Sequence, residues 1–189
     1  MKLFRSVGLV LATFVLIAGC GTPADTGGQP GTPPAPATPA APGTTGTTEP
    51  AAAAVPEQLR FDVKTVDGKD FSGQSLAGKP AVLWFWAPWC PVCQREAPTV
   101  AKAAQASTGT TFVGVAAQDE VPAMKDFVAK YQLGTFEHLA DLDAAVWQRF
   151  GVTKQPAFAF ISADGSVDVV KGTLSEEDIA TRVSALSGT

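Results

Sequence analysis

The chain has 189 residues, 46% of them hydrophobic and 17% charged, with a formal net charge of −4. That is long enough for one domain with a sizeable core. The acidic balance argues against a phosphate-tracking nucleic-acid binder; three cysteines exclude a disulfide-dense scaffold and, with a single histidine, argue against a zinc domain.

Met1 to Cys20 has the order of an export signal. Lys2 and Arg5 precede an apolar run, Val7 to Ala18, that is shorter than the roughly 20 residues a membrane-spanning helix needs. The run ends in Leu16-Ile17-Ala18-Gly19-Cys20, which resembles a bacterial lipobox with Cys20 as the lipidated residue. An ordinary signal peptide or an uncleaved anchor is the alternative. Lipidation of Cys20 implies a membrane anchor on the outer face of the plasma membrane, where disulfides persist.

Nine of the fifteen prolines fall between Gly21 and Pro56, in a stretch almost entirely of Gly, Thr, Pro and Ala without a single Lys or Arg. It offers little apolar surface to bury and is expected to form a disordered tether. Fully extended as polyproline its 36 residues reach about 110 Å, and as a flexible coil about 35 Å. The expected organisation is a signal peptide at 1–19, Cys20 and tether at 20–56, and one domain at 57–189. Within that domain twelve Lys/Arg stand against sixteen Asp/Glu, again −4.

Leu59 to Val66 alternates apolar and polar residues, the mark of a half-buried strand, and Asp67-Gly68 supplies a hairpin turn with Phe71 on the return. Ala81 to Trp86 is apolar throughout, as in a central strand covered on both faces. Pro91 suits the first turn of a helix running through Val92 to Ser107. Thr111 to Ala117 reads as a strand, Pro122 to Tyr131 as a helix, Phe136 to Leu139 as a short strand and Asp143 to Phe150 as a helix. Phe158 to Ser162 and Val167 to Val170 flank Asp164-Gly165 as a hairpin. Ser175 to Leu186 closes the domain as a helix, with Ser175 and Asp178 spaced as a capping box. Strands alternating with helices, then a hairpin and a last helix, predict an α/β fold whose mixed sheet carries helices on both faces.

The chemistry centres on Cys90-Pro91-Val92-Cys93. At a strand-to-helix junction the first sulfur meets unpaired amide N–H groups and the positive end of the helix dipole, which favour the thiolate that attacks disulfides. Cys93, one turn on, can resolve a mixed disulfide. Cys90 is therefore expected as an exposed nucleophile and Cys93 as the resolving thiol, with no metal and no cofactor beyond this redox pair. Trp89 adjoins Cys90 and is expected to line the substrate groove. Trp84, Phe85, Trp86 and Trp147 read as core, and His138 as an ordinary sheet-edge residue.

Trp86-Ala87-Pro88-Trp89-Cys90-Pro91-Val92-Cys93 resembles the active-site motif of the thioredoxin superfamily, and Cys93-Gln94-Arg95-Glu96-Ala97-Pro98 resembles its extracytoplasmic TlpA/ResA/DsbE group. With the lipobox and the Gly151-Val152-Thr153-Lys154-Gln155-Pro156 segment, the likeness is greatest to secreted DsbE/DsbF-type proteins of actinobacteria. The resemblance implies a thioredoxin-like fold over 57–189 and a thiol–disulfide oxidoreductase. Its partners would be exported cysteine-containing proteins and a membrane redox partner, with no nucleic acid. It further implies that Pro156 is the cis-proline opposite the cysteines and that the Gln155 backbone pairs with bound polypeptide. Glu96 is implied as a base for Cys93, provided burial raises its pKa; a solvated helix glutamate is the alternative. Where cytoplasmic thioredoxins carry a buried aspartate, six residues before the first cysteine, this chain has Trp84. The expected direction is oxidative. The alternatives are a reductase of the TlpA/ResA type, such as one serving cytochrome c maturation, a thiol peroxidase, and a copper-delivery protein using the two cysteines and His138.

Overall fold

A computed structural model describes residues 55–186. The export segment, Cys20 and the tether up to residue 54 lie outside the described residues. Val55 already packs against the core, so the folded body begins slightly ahead of the expected boundary at residue 57.

Two short strands, β1 (Asp62–Lys64) and β2 (Asp70–Ser72), pair antiparallel as a small separate sheet. The main sheet has five strands: β3 (Ala81–Trp86), β4 (Thr111–Ala116), β5 (Glu137–Ala140), β6 (Ala157–Ile161) and β7 (Val167–Lys171), in the order β5-β4-β3-β6-β7. β3 runs parallel to β4, and β4 to β5, whereas β6 is antiparallel to both β3 and β7. The helices are α1 (Pro91–Ala106), α2 (Val121–Lys130), α3 (Ala145–Arg149) and α4 (Glu176–Leu186).

Period-two alternation along β3 explains why every one of its residues is buried. Val82, Trp84 and Trp86 face a core shared with Val100 of α1, Met124 and Phe127 of α2, and Ile179 and Val183 of α4. Ala81, Leu83 and Phe85 face a second core with Val146 and Trp147 of α3 and with Leu59, Phe61 and Leu76 from the N-terminal segment. Helices therefore cover both faces, as the sequence pattern predicts.

Two elements are shorter than expected. The alternating stretch from Leu59 gives a 3-10 turn at Glu57–Leu59 and only three strand residues. The inward side chains Leu59, Phe61 and Thr65 are buried nonetheless, because the pattern records which side faces the core and not which backbone finds a partner. The helix expected from Asp143 starts at Ala145, since the buried Asp141 carboxylate accepts the amides of Val146 and Trp147 at 3.0 and 2.9 Å. The box that opens α4 forms as expected: Asp178 N–H donates to Ser175 Oγ at 3.1 Å, and Ser175 N–H to Asp178 Oδ2 at 3.3 Å.

Candidate active site at the β3–α1 junction

β3 ends at Trp86, and three residues, Ala87 to Trp89, carry the chain to Cys90, the N-cap of α1. Pro91 at the first helical position has no N–H to satisfy, and its fixed φ starts the helix. The Cys93 N–H donates to Cys90 Sγ at 3.2 Å. The loop before it is tied down on two sides. Gln94 Nε2–H donates to the Pro88 carbonyl at 3.0 Å, and Trp89 Nε1–H to the Gln118 carbonyl at 3.1 Å.

Both cysteines are free thiols, and the expected exposure of Cys90 is corrected: it is 4% exposed and Cys93 0%. The exposed member of the loop is Trp89, at 52%. The cap bonds the sulfur to the Cys93 amide, and Cys90 also sits in the core cluster on the α1 face of the sheet. Burial pushes the Cys93 thiol well above its ordinary value. The hydrogen bond with Cys90 and the nearby charges of Cys90 and Glu96 add to the rise, and a backbone hydrogen bond with Ala87 opposes it.

The solvated alternative for Glu96 is excluded, since the side chain is 6% exposed. Trp84 Nε1–H donates to its Oε2 at 3.0 Å and Leu174 N–H to its Oε1 at 2.9 Å. Burial raises the Glu96 carboxyl above its usual range, while these two donors pull it back part of the way. The Leu174 loop reaches the other wall of the site as well, because Gly172 N–H donates to the Pro156 carbonyl at 2.9 Å.

The Gln155–Pro156 bond is cis. Ala157, the next residue, pairs with Phe85 near the end of β3. Gln155 and Pro156 therefore lie beside the strand end from which the chain leads into Cys90.

An AhpC/TSA family model matches residues 54–170. The secreted antigen MPT53 of Mycobacterium tuberculosis is 46% identical over 73% of this chain and 81% of its own. Bacillus subtilis ResA, a thiol-disulfide oxidoreductase, is 30% identical over 63% of this chain and 68% of its own. A solved structure of MTB DsbF in mixed oxidized and reduced forms superposes with a TM-score of 0.69 at 59% identity, covering 70% of this chain and 98% of that one. The chain belongs to the AhpC/TSA family, as a thiol–disulfide oxidoreductase of the DsbE/ResA thioredoxin branch.

Within this thioredoxin-like frame, Cys90, Cys93 and Glu96 come together on one helix, with Trp89 beside them and Gln155-Pro156 on the neighbouring strand end. His138 stands apart. β5 is a sheet-edge strand as expected, but His138 is 3% exposed, its ring edge-on to Trp86 and its Nε2 3.1 Å from the Leu133 carbonyl. Sequence reasoning missed two contributors, the Trp84 indole and the Leu174 amide. The departure at the usual aspartate position pointed towards Trp84, whereas Leu174 supplies only backbone and leaves no residue-type signal.

Proposed function

We propose that this oxidoreductase forms disulfides in exported, cysteine-containing polypeptides on the outer face of the plasma membrane, through Cys90 and Cys93. The observation that supports this reading is Cys90 Sγ at the cap of α1, accepting the Cys93 amide at 3.2 Å. The cap aims the helix-start amide at this sulfur, and whatever stabilises the reduced form of a dithiol pair makes it a stronger oxidant.

In this reading a substrate thiolate attacks Sγ of Cys90 in the oxidised pair. The Cys90–Cys93 bond breaks, and Cys93 leaves as a thiolate that takes up a proton. A second substrate thiolate then attacks the substrate sulfur of the mixed disulfide, forming the substrate disulfide and releasing the Cys90 thiolate. Two electrons have passed from substrate to protein, and a membrane oxidase must remove them. Trp89 and the Gln155-Pro156 backbone hold the polypeptide. The lipobox-like segment supports an anchor at Cys20, with the Pro-rich stretch as its spacer. MPT53 is described as soluble and secreted, which supports the extracytoplasmic side.

Glu96, at the position that in the ResA-like branch tunes the cysteine pair, favours the reverse direction as a second reading. There Cys90 thiolate attacks a substrate disulfide and Cys93 resolves it. Peroxide reduction finds no support in the residues. The Pro-x-x-x-Thr/Ser-x-x-Cys pattern would place its proline and hydroxyl at positions 83 and 87, where this chain has Leu83 and Ala87.

The test is the equilibrium reduction potential of the pair in the purified protein against a glutathione series. A value near that of DsbA, about −120 mV, supports disulfide formation, and one near that of thioredoxin, about −270 mV, supports the reductase reading. Absence of any redox transition overturns both.

A further inference from the structure

Glu96 is the one acidic side chain of α1, and it lies on the buried side three residues beyond Cys93. We propose that Trp84 is a positioning residue for disulfide exchange, its indole N–H holding the Glu96 carboxylate as the group that trades a proton with Cys93. This rests on the exchange reading above and adds to it a residue whose hydrogen bond goes to Glu96 and not to a sulfur.

The geometry leaves the carboxylate little freedom. Oε2 accepts from Trp84 Nε1 at 3.0 Å and Oε1 from the Leu174 amide at 2.9 Å. Both partners are pure donors, so each oxygen keeps a lone pair and neither can lose it to a competing hydroxyl or amide flip. The indole cannot swing away. Trp84 is fully buried, stacked on Trp86 at 5.8 Å between ring centroids and packed against Phe127 at 6.3 Å. A carboxylate buried with no donor takes up a proton and is useless as an acceptor. Two N–H donors offset that cost and keep the charged and neutral forms both within reach.

The placement also follows from the chain. Trp84 is on β3, six residues ahead of Cys90, and its side chain points to the face that α1 covers. One strand-to-helix unit thus delivers the nucleophile, the resolving thiol, the proton acceptor and the group that holds the acceptor. The other donor comes from the loop that bonds Pro156 through Gly172, so the carboxylate is braced between the strand below and the wall opposite.

Among the described residues, the titratable groups facing Glu96 are few. From α1 they are Cys93 and, behind it, Cys90. β3 contributes the Trp84 indole and the loop before α4 contributes the Leu174 amide, neither of which titrates. α2 turns Met124 and Phe127 inward while Lys125, Asp126 and Lys130 are exposed. Where α1 meets α4, Lys102 and Glu176 pair with each other at the surface, 3.7 Å apart. A pH dependence of the resolving step therefore reports on Cys93 and Glu96.

The step balances without any added reagent. In the resolving direction Cys93–SH gives its proton to Glu96 and becomes a thiolate. That thiolate attacks Cys90 Sγ of the mixed disulfide, forms the Cys90–Cys93 bond and expels the partner thiolate. In the disulfide-forming direction the proton returns from Glu96 to the departing Cys93 thiolate.

The experiment is single-turnover reaction of the reduced protein with glutathione disulfide, following release of the second glutathione as a function of pH. The wild type is expected to show an acid limb that Glu96→Gln abolishes. Trp84→Phe keeps an aromatic ring and removes the N–H, which disfavours the charged carboxylate. Its limb is expected to move to higher pH by about one unit, a tenfold slower step at a fixed pH on the limb. A purely structural role would lower the thermal midpoint and leave the limb in place, and a folded Trp84→Phe with the wild-type limb overturns the proposal. Should that variant fail to fold, the Trp84 indole N–H resonance of the wild type decides. It is expected to titrate at the midpoint of the limb, and a resonance that ignores pH overturns the proposal. Failure of the wild type to react at Cys90 would overturn the exchange reading together with this one, whereas normal reaction with an unmoved limb overturns this one alone.

Discussion

Trp84 and Trp86 stand two residues apart on β3, face the same core, and each meets a buried titratable side chain, yet the two meetings differ in kind. Trp84 gives its N–H to Glu96 at 3.0 Å. Trp86 meets His138 edge-on, with ring centroids 5.6 Å apart, and neither Trp86 Nε1 nor His138 Nδ1 has a hydrogen-bond partner among the described residues. The Leu133 carbonyl can only accept, so His138 Nε2 carries the proton and Nδ1 is bare. Gly114 makes this packing possible. It is paired with Trp84 on one side and His138 on the other, and a Cβ there would overlap His138 Nδ1 and come within 2.9 Å of Trp86 Nε1. A buried titratable group with fixed donors can change charge during a reaction. One enclosed without donors for its second polar atom is held neutral by packing and serves the fold.

The largest effect expected from this contrast is on turnover. Cys93→Ala, in the Glu96 region, should trap mixed disulfides at Cys90 and stop turnover, visible as adducts by mass spectrometry. His138→Gln should leave exchange running. Adducts absent from the first variant, or turnover lost in the second, would break the division of labour between the regions.

Next in size is acid sensitivity. Burial holds His138 at a pKa of about 4 against its ordinary 6.5. The unfolded chain therefore accepts a proton that the folded one refuses. This contribution to stability is complete above pH 6.5 and falls by about 3 kcal/mol as the pH drops to 4. Glu96 and Asp141 run the other way, since burial raises both carboxyls and the folded state keeps their protons longer as pH rises. Unfolding free energies of wild type and His138→Gln compared across pH isolate the histidine, and a difference that stays flat would contradict its enclosure.

Smaller still is Gly114→Ala, which should lower stability by about 1–3 kcal/mol through overpacking. It should leave the reduction potential of the cysteine pair unchanged. A shifted potential would mean that the His138 region reaches the thiols after all.

Much of the site was legible because its signals are local. Cys-x-x-Cys behind an apolar strand, with a proline at the helix start, identifies a thiol at a helix cap, and the apolar run Ala81 to Trp86 identifies the central strand. The state of Glu96 was not legible. A glutamate three residues beyond Cys93 has the same spacing whether it is solvated or enclosed, and its enclosure comes from β3 and from Leu174, 78 residues further along the chain. The exposure of Cys90 was misjudged for a related reason. A cap position fixes what the sulfur bonds to but not the packing around it, which places Cys90 in a core cluster with residues of other elements.

By itself the sequence determined the alternation that sorts side chains onto two faces, the punctuation by proline and glycine, and the thiol pair at one helix start. Each of these depends on neighbours within a turn or a strand. The tertiary structure alone decided which polar groups lose water and which donors they find there. Those partners belong to different elements, and only the closed sheet with its covering helices brings them within hydrogen-bonding distance.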